Sequence, residues 1–125
     1  MPHLISASLV FYAEKHTMNF SEIASKFESS DAGTDTYKEF YKDLYKLMAV
    51  DKGNAALYFV IAIIAQAYVR RYEEEAVPKF FAEKVQARFS RFNKRINEGL
   101  ASDGAVRLAI ISEIALEYEL EISEF

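Results

Sequence analysis

Hydrophobic residues recur along most of the chain at intervals of three and four positions, which is the spacing of one face of an α-helix. Glycines fall only between these periodic segments, where they end helices without interrupting them. They are Gly33, Gly53, Gly99 and Gly104. The pattern therefore predicts an all-α fold, a compact bundle of about five or six helices.

The most apolar segment of the chain covers residues 55–69 and is interrupted only by Gln66. We expect it to form most of a central helix over about residues 54–76. Because apolar side chains surround the axis of this helix, neighbouring helices must cover every face, and a second chain is left open as part of that cover. The segment is shorter than the ~20 apolar residues that cross a bilayer, so no membrane association is predicted.

Three further helices are predicted before the central one. The first covers residues 4–16, with its apolar residues on one face. A short second helix begins at Asn19, because Asn19 and Glu22 have the spacing of a capping box. Thr36 and Glu39 have the same spacing, so we expect them to open the third helix.

Two helices are predicted after the central one. Pro78 marks a bend and suits the first turn of a helix, and Asp103 is a candidate cap for the last helix. Each of these helices carries an apolar seam of the kind that packs against another helix. The seams are Phe81, Val85, Phe89, Phe92 and Ile96, then Ile111, Ile114, Tyr118, Ile122 and Phe125. We expect the last helix to continue almost to Phe125.

Stripes of opposite charge run beside these two seams. The basic stripe is Lys84, Arg88, Arg91 and Arg95, and the acidic stripe is Glu113, Glu117, Glu121 and Glu124. If the two helices pack antiparallel, the stripes face each other and form ion pairs within the chain. The alternative is that the basic stripe binds an external anion such as a nucleic-acid backbone. We favour internal pairing, because charged runs on helix surfaces are usually solvated faces, and leave the alternative open.

Composition narrows the class of protein further. The 125 residues fit a single helical domain over residues 1–125, and 51% of them are hydrophobic, which excludes general disorder. The absence of cysteine removes disulfides and thiolate catalysis and fits a cytoplasmic location. A net charge of −4 weakens the nucleic-acid alternative, because DNA-binding domains are usually basic.

Candidate catalytic and metal-binding groups are sparse in this sequence. His3 lies at the chain terminus and His16 at a predicted helix end, where both suit the surface. Glu73, Glu74 and Glu75 are consecutive, and consecutive helical positions point about 100° apart, so they do not converge easily on one metal ion. The sequence therefore predicts no enzyme, and it indicates no cofactor and no metal site.

Aromatic residues indicate two kinds of binding surface. Tyr37, Tyr41 and Tyr45 lie on one predicted helix, and each carries a hydroxyl that needs water or a partner. We therefore expect an exposed tyrosine face that contacts another protein. The alternative is an apolar small-molecule pocket between helices. Its candidate lining residues are Tyr58, Phe59, Tyr68 and Phe89.

The function predicted from these features is binding rather than catalysis. We expect a small regulatory protein, an adaptor or an inhibitor, that acts through another protein, with a homodimer left open. The weaker alternatives are a nucleic-acid-associated regulator that uses the basic stripe and a binder of an apolar small molecule. The basic stripe and the three tyrosines are the candidate interaction residues.

Overall fold

The computed structural model of the chain describes residues 17–125, and within them it contains five α-helices, two short 3₁₀ helices and no β-strand. The helices are α1 Phe20–Glu28, α2 Thr34–Val50, α3 Ala55–Tyr72, α4 Lys79–Leu100 and α5 Gly104–Leu120. The predicted all-α bundle is confirmed. The helix predicted over residues 4–16 lies outside the described residues.

Two of the predicted helix starts are confirmed by their hydrogen bonds. At the start of α1, the Asn19 side chain accepts a hydrogen bond from the Glu22 backbone N–H at 2.9 Å. The Glu22 carboxylate accepts in return from the Asn19 backbone N–H at 2.9 Å, which completes a capping box. At the start of α5, the Asp103 carboxylate accepts from the Val106 N–H at 3.0 Å. These bonds satisfy N–H groups that the helices leave unpaired.

The capping box predicted for the next helix is wrong. Helix α2 begins at Thr34 with Gly33 at the N-cap position, and no side chain caps it. Thr36 lies inside the helix instead, where its hydroxyl donates to the Asp31 carboxylate at 3.2 Å. The same carboxylate oxygen accepts the Gly33 N–H at 2.8 Å. Asp31 therefore organises the turn before α2, a role that side-chain spacing alone does not reveal.

Helix α3 lies at the centre of the bundle and packs against α2, α4 and α5. The α2 helix runs antiparallel to it, since Lys38 near the start of α2 pairs with Glu73 just after the end of α3. The α5 helix runs parallel to it. A Cβ atom at Gly99 would lie 3.0 Å from Ile110 and 3.6 Å from Leu57, so the ends of α3, α4 and α5 meet closely there.

The expectation that every face of the central helix is covered holds only in part. Most apolar residues of α3 are buried, but Phe59 is 47% exposed and Ile63 is 37% exposed. These two residues are four positions apart and therefore lie on one side of the helix. The described part of the chain thus leaves one narrow apolar strip of the central helix open to solvent.

Aromatic rings form the middle of the core around Phe89 of α4. The ring centroid of Phe89 lies 4.9 Å from that of Tyr37 and 5.9 Å from that of Phe27. Phe40 adds a further ring at 6.3 Å. Edge-to-face and tilted pairs of this kind contribute ~0.5–1.5 kcal/mol each beyond the area they bury. The predicted seam of α4 is therefore a core seam, with Val85, Phe89, Phe92 and Ile96 buried.

The last α-helix ends earlier than the sequence pattern predicts. Helix α5 ends at Leu120, and a 3₁₀ helix over Ile122–Glu124 turns the chain back toward the core. Phe125 is buried there and stacks on Phe92 with ring centroids 6.0 Å apart. Ile122 is exposed, so its predicted place in the seam is wrong. The change of helical pitch moves Ile122 outward while it brings Phe125 inward.

One segment of the described chain, Lys52–Tyr72, is long and apolar enough to span a membrane by length and composition. Half of its most apolar window is buried inside the bundle. A buried core helix passes the same test, so this finding is weak evidence for membrane insertion.

Candidate interaction surfaces

The basic stripe on α4 lies against the acidic stripe on α5. The Arg88 guanidinium donates to Glu117 at 3.1 Å and to Glu121 at 2.6 Å. The Arg95 guanidinium donates to both carboxylate oxygens of Glu113 at 2.8 Å, which is a bidentate pair. Seven of the eight residues of the two predicted stripes form ion pairs with each other, and Glu121 and Glu124 do so from just beyond the end of α5.

These ion pairs differ in how far they are shielded from water. The Arg88 side chain is only 18% exposed, and its guanidinium carbon lies 5.0 Å from the ring centre of Phe125. The hydrogen bonds from Arg95 lower the pKa of the Glu113 carboxyl and hold its charged form in place. Arg91 also donates to Glu117 at 3.0 Å, and that bond raises the pKa of Arg91. The arginines therefore already have carboxylate partners inside the bundle.

Lys84, the first residue of the basic stripe, is placed differently. Its ammonium lies 5.4 Å from the ring centre of Phe80, and both residues are exposed. Within residues 17–125 it forms no ion pair. Lys84 therefore remains available for an external partner, but one exposed cation is a much smaller positive patch than the four residues predicted.

The structure separates the three candidate tyrosines. Tyr37 is 0% exposed and packs between Phe27, Tyr68 and Phe89, so its predicted place on an exposed tyrosine face is wrong. Tyr41 and Tyr45 are half-buried on the outside of α2. The Tyr45 hydroxyl donates to the Gln66 side chain at 2.9 Å, which joins α2 to α3.

Two polar side chains in the core have no hydrogen-bond partner within the described part of the chain. They are the hydroxyl of Tyr37 and the carboxamide of Asn93, both completely buried. Burial raises the pKa of Tyr37 above its ordinary value, because the charged phenolate loses its hydration. An unpaired buried polar group costs about 1–3 kcal/mol of stability. These residues are candidates for strain in the core rather than for binding.

Among the described residues, α5 carries more exposed large apolar side chains than any other helix. The exposed positions of α5 on the side away from the core form what we call its outward face. They are Ala105, Leu108, Ala109, Ser112, Ala115, Leu116, Glu119 and Leu120. The side chains of Leu108, Leu116 and Leu120 are 64%, 60% and 73% exposed. A surface helix ordinarily carries polar residues on this side, whereas a helix that is apolar all round is normally covered on all sides.

Sequence reasoning missed this surface, although its signal was present. The predicted seam of α5 contains Ile111, Ile114 and Tyr118, whereas the fully buried residues of this helix are Ile110 and Ile114. Leu108, Leu116 and Leu120 lie outside that seam. A count of apolar residues around the whole helix, rather than along one face, reveals that α5 resembles a buried helix in composition.

The apolar pocket proposed among four aromatic residues does not form as a single site. Tyr58 stacks on Phe20 with ring centroids 5.8 Å apart, and Phe89 is in the core. Phe59 points to solvent on another side of α3. Of the four, Tyr68 lines an open groove of about 370 Å³ beside the turn at Glu73–Glu75. The surface grooves of the described residues are open and shallow rather than enclosed pockets.

Carboxylates and histidines do not gather into a metal site within the described residues. Glu73, Glu74 and Glu75 follow α3 as an exposed turn, and Glu73 is paired with Lys38. His3 and His16 lie outside the described residues.

Comparisons with known proteins do not assign this chain to a family: no protein-family model, no curated protein and no solved structure matches it.

Proposed function

We propose that this chain is a small non-catalytic interaction protein that binds another protein through the outward face of α5. The observation that carries the proposal is the exposure of Leu108, Leu116 and Leu120 on one side of a single helix. Contiguous apolar patches of this kind typically mark protein contacts, because exposed hydrocarbon is costly in water. An adaptor, an inhibitor or a regulatory partner would act in this way.

The size of the apolar surface favours a contact that extends beyond the three leucines. Covering them removes on the order of 300 Å² from water, worth roughly 7 kcal/mol at ~25 cal/mol per Å². Association itself costs an estimated ~4–15 kcal/mol in lost freedom. The leucines alone are therefore marginal for binding. A stable contact must therefore also include the smaller residues between the leucines, Ala109, Ser112 and Ala115.

The ion pairs between α4 and α5 weaken the nucleic-acid alternative. Arg88, Arg91 and Arg95 already donate to glutamates, so a phosphate backbone would have to replace those carboxylates. Phosphate contacts supply most of the affinity of non-specific nucleic-acid binding. Lys84 remains as an exposed cation of this stripe. The nucleic-acid alternative and the small-molecule alternative therefore stay predictions, and protein binding is the function with the stronger support.

An affinity pull-down from the native host's lysate tests the proposal when it includes matched variants. The test variant combines Leu108→Glu with Leu116→Glu, which places two charges on the outward face. The control combines Phe80→Glu with Ala87→Glu, two exposed apolar positions on α4. Both variants add the same charge, so any difference between them reflects the location of the substitutions.

We expect the wild type and the control to recover the same protein, in equal amounts with and without nuclease, and the test variant to lose it. Circular dichroism of all three chains verifies that the helices are intact. Recovery of the same protein by the test variant would contradict the proposal. Material that disappears after nuclease treatment would instead support the nucleic-acid alternative.

A further inference from the structure

We propose that a second copy of this chain covers the outward face of α5, with the two α5 helices packed antiparallel about a two-fold axis at Ser112. The inference rests on the proposed function, since it names the partner of the same surface.

The leucines are spaced symmetrically around Ser112. Leu108 and Leu116 each lie four positions from it, one on either side. In a two-fold symmetric contact, each residue meets a partner residue and that partner's copy meets the first residue in turn. An antiparallel crossing at Ser112 therefore places Leu108 of each chain opposite Leu116 of the other. Both leucines are about two-thirds exposed and would be covered together.

Small residues between the leucines allow the two helices to approach closely. Ala109 and Ala115 lie three positions on either side of Ser112 and meet across the same two-fold axis. Alanine and serine side chains permit helix axes to pack at the short end of the ~8–10 Å range. The two Ser112 hydroxyls then lie near each other at the axis, where each can donate to the other.

Charge favours the antiparallel orientation over a parallel one. Glu119 is the one ionisable residue of the outward face, and it lies seven positions after Ser112. The antiparallel pair places it over Ala105 of the second copy, in the first turn of that copy's α5. The N-terminal end of a helix dipole attracts a carboxylate. A parallel pair would instead place Glu119 beside Glu119 of the second copy, where two like charges repel.

The composition of the exposed surface also fits a second copy. Leu108, Leu116 and Leu120 are 64%, 60% and 73% exposed, and every other residue of the outward face except Glu119 is alanine or serine. Interfaces between identical subunits are more apolar than transient ones, as this surface is.

The absence of cysteine from the chain permits a direct test of this geometry. The variant Ser112→Cys carries one thiol per chain at the proposed axis, where a disulfide between two copies has the required short separation. The matched control is Ser25→Cys, an exposed serine on α1. After mild oxidation with a copper–phenanthroline complex, we expect at least tenfold more cross-linked product from Ser112→Cys. That product has twice the 14.3 kDa chain mass. Equal cross-linking of the two variants would overturn the proposed axis.

A charge exchange tests which residues face each other. Leu108→Lys and Leu116→Glu are prepared as separate chains, and each should be monomeric in sedimentation equilibrium at micromolar concentration. When they are mixed, the antiparallel contact pairs the new lysine with the new glutamate and leaves the two remaining leucines together. We therefore expect a heterodimer from the mixture. A mixture that remains monomeric, while the wild type is a dimer, would overturn the antiparallel register.

The mass of the wild type separates this inference from the proposed function. A wild-type monomer at micromolar concentration would overturn the second copy as the partner. The proposed function would still stand if the pull-down recovers a different protein that the Leu108→Glu, Leu116→Glu variant loses. A wild-type dimer that this double variant does not dissociate would overturn the second copy at this face, and a captured partner that the double variant still recovers would overturn the proposed function.

Discussion

Tyr37 and Asn93 are polar side chains buried in the core, and replacing each of them measures what burying its polar group costs in stability. Neither finds a hydrogen-bond partner within the described residues, although both are completely buried. The sequence predicts Tyr37 at the surface, because tyrosine hydroxyls usually need water or a partner. The helical position of Tyr37, next to Phe27 and Phe89, instead determines its burial.

Asn93→Ala should leave the free energy of unfolding unchanged or raise it by up to about 1 kcal/mol. The substitution removes an unpaired amide from the core and replaces it with a better helix former, while a small cavity offsets part of the gain. Asn97→Ala serves as the control, because Asn97 is exposed on the same helix. Urea denaturation of both variants measures the difference. A loss of more than about 1 kcal/mol relative to the control would indicate that Asn93 has a buried partner such as water.

Tyr37→Phe should stabilise the protein, and the gain should grow at alkaline pH. The raised pKa of Tyr37 means that the native state keeps a proton that the unfolded state loses above about pH 10. This stability is therefore present below pH 10 and is lost as the pH rises further. The Tyr37→Phe variant should therefore lose less stability than the wild type when the pH rises above about 10. Urea denaturation at pH 8 and pH 11 measures it, and identical pH dependence in both proteins would contradict the prediction.

At the scale of helices and their ends, local signals predicted the caps at Asn19 and Asp103 because each cap depends on neighbouring residues only. The same reasoning was wrong at Thr36, where Asp31 five residues earlier organises the turn instead. It also extended α5 beyond Leu120. The helix ends where it does because Phe125 is buried against α4, a contact distant in sequence.

Phe125→Ala should lower the free energy of unfolding by about 3–5 kcal/mol, the usual range for removing a buried phenylalanine. Phe125 contacts the rings of Phe92 and Tyr118, with centroids 6.0 Å and 5.0 Å away. Ile122→Ala is the control, because Ile122 is exposed and should cost less than about 1 kcal/mol. Urea denaturation compares the two variants. Equal losses would show that Phe125 does not hold the chain end against the core.

The ion pairs between α4 and α5 should make the bundle less stable in acid. The lowered pKa of Glu113 contributes stability above the unfolded value of about 4.3, and that stability is lost as the pH falls through the folded value. Glu113→Gln should therefore reduce the change in melting temperature between pH 7 and pH 3. The exposed Glu83→Gln, with no ion pair within the described chain, is the control. Because the Glu113 pair is half-exposed, the effect should be small and should shrink in high salt.

At the scale of the whole molecule, the helix class and the two opposed charge stripes followed from sequence periodicity alone. The location of the exposed apolar surface did not. Whether Leu108 faces the core or solvent depends on which side of α5 meets α3, and that packing is set by contacts between distant segments. A sequence pattern shows that a helix is apolar all round, but only the assembled bundle shows which side remains uncovered.

We propose above all that a protein partner covers the outward face of α5. Hydroxyl-radical footprinting by mass spectrometry tests it most directly, with labelling normalised to the unfolded chain and the exposed Phe80 on α4 as internal reference. We expect labelling of Leu108 and Leu116 to be high in dilute protein. It should fall several-fold relative to Phe80 as the protein is concentrated or its captured partner is added. Labelling of both leucines that stays as high as that of Phe80 in the assembled protein would show that no partner covers this face.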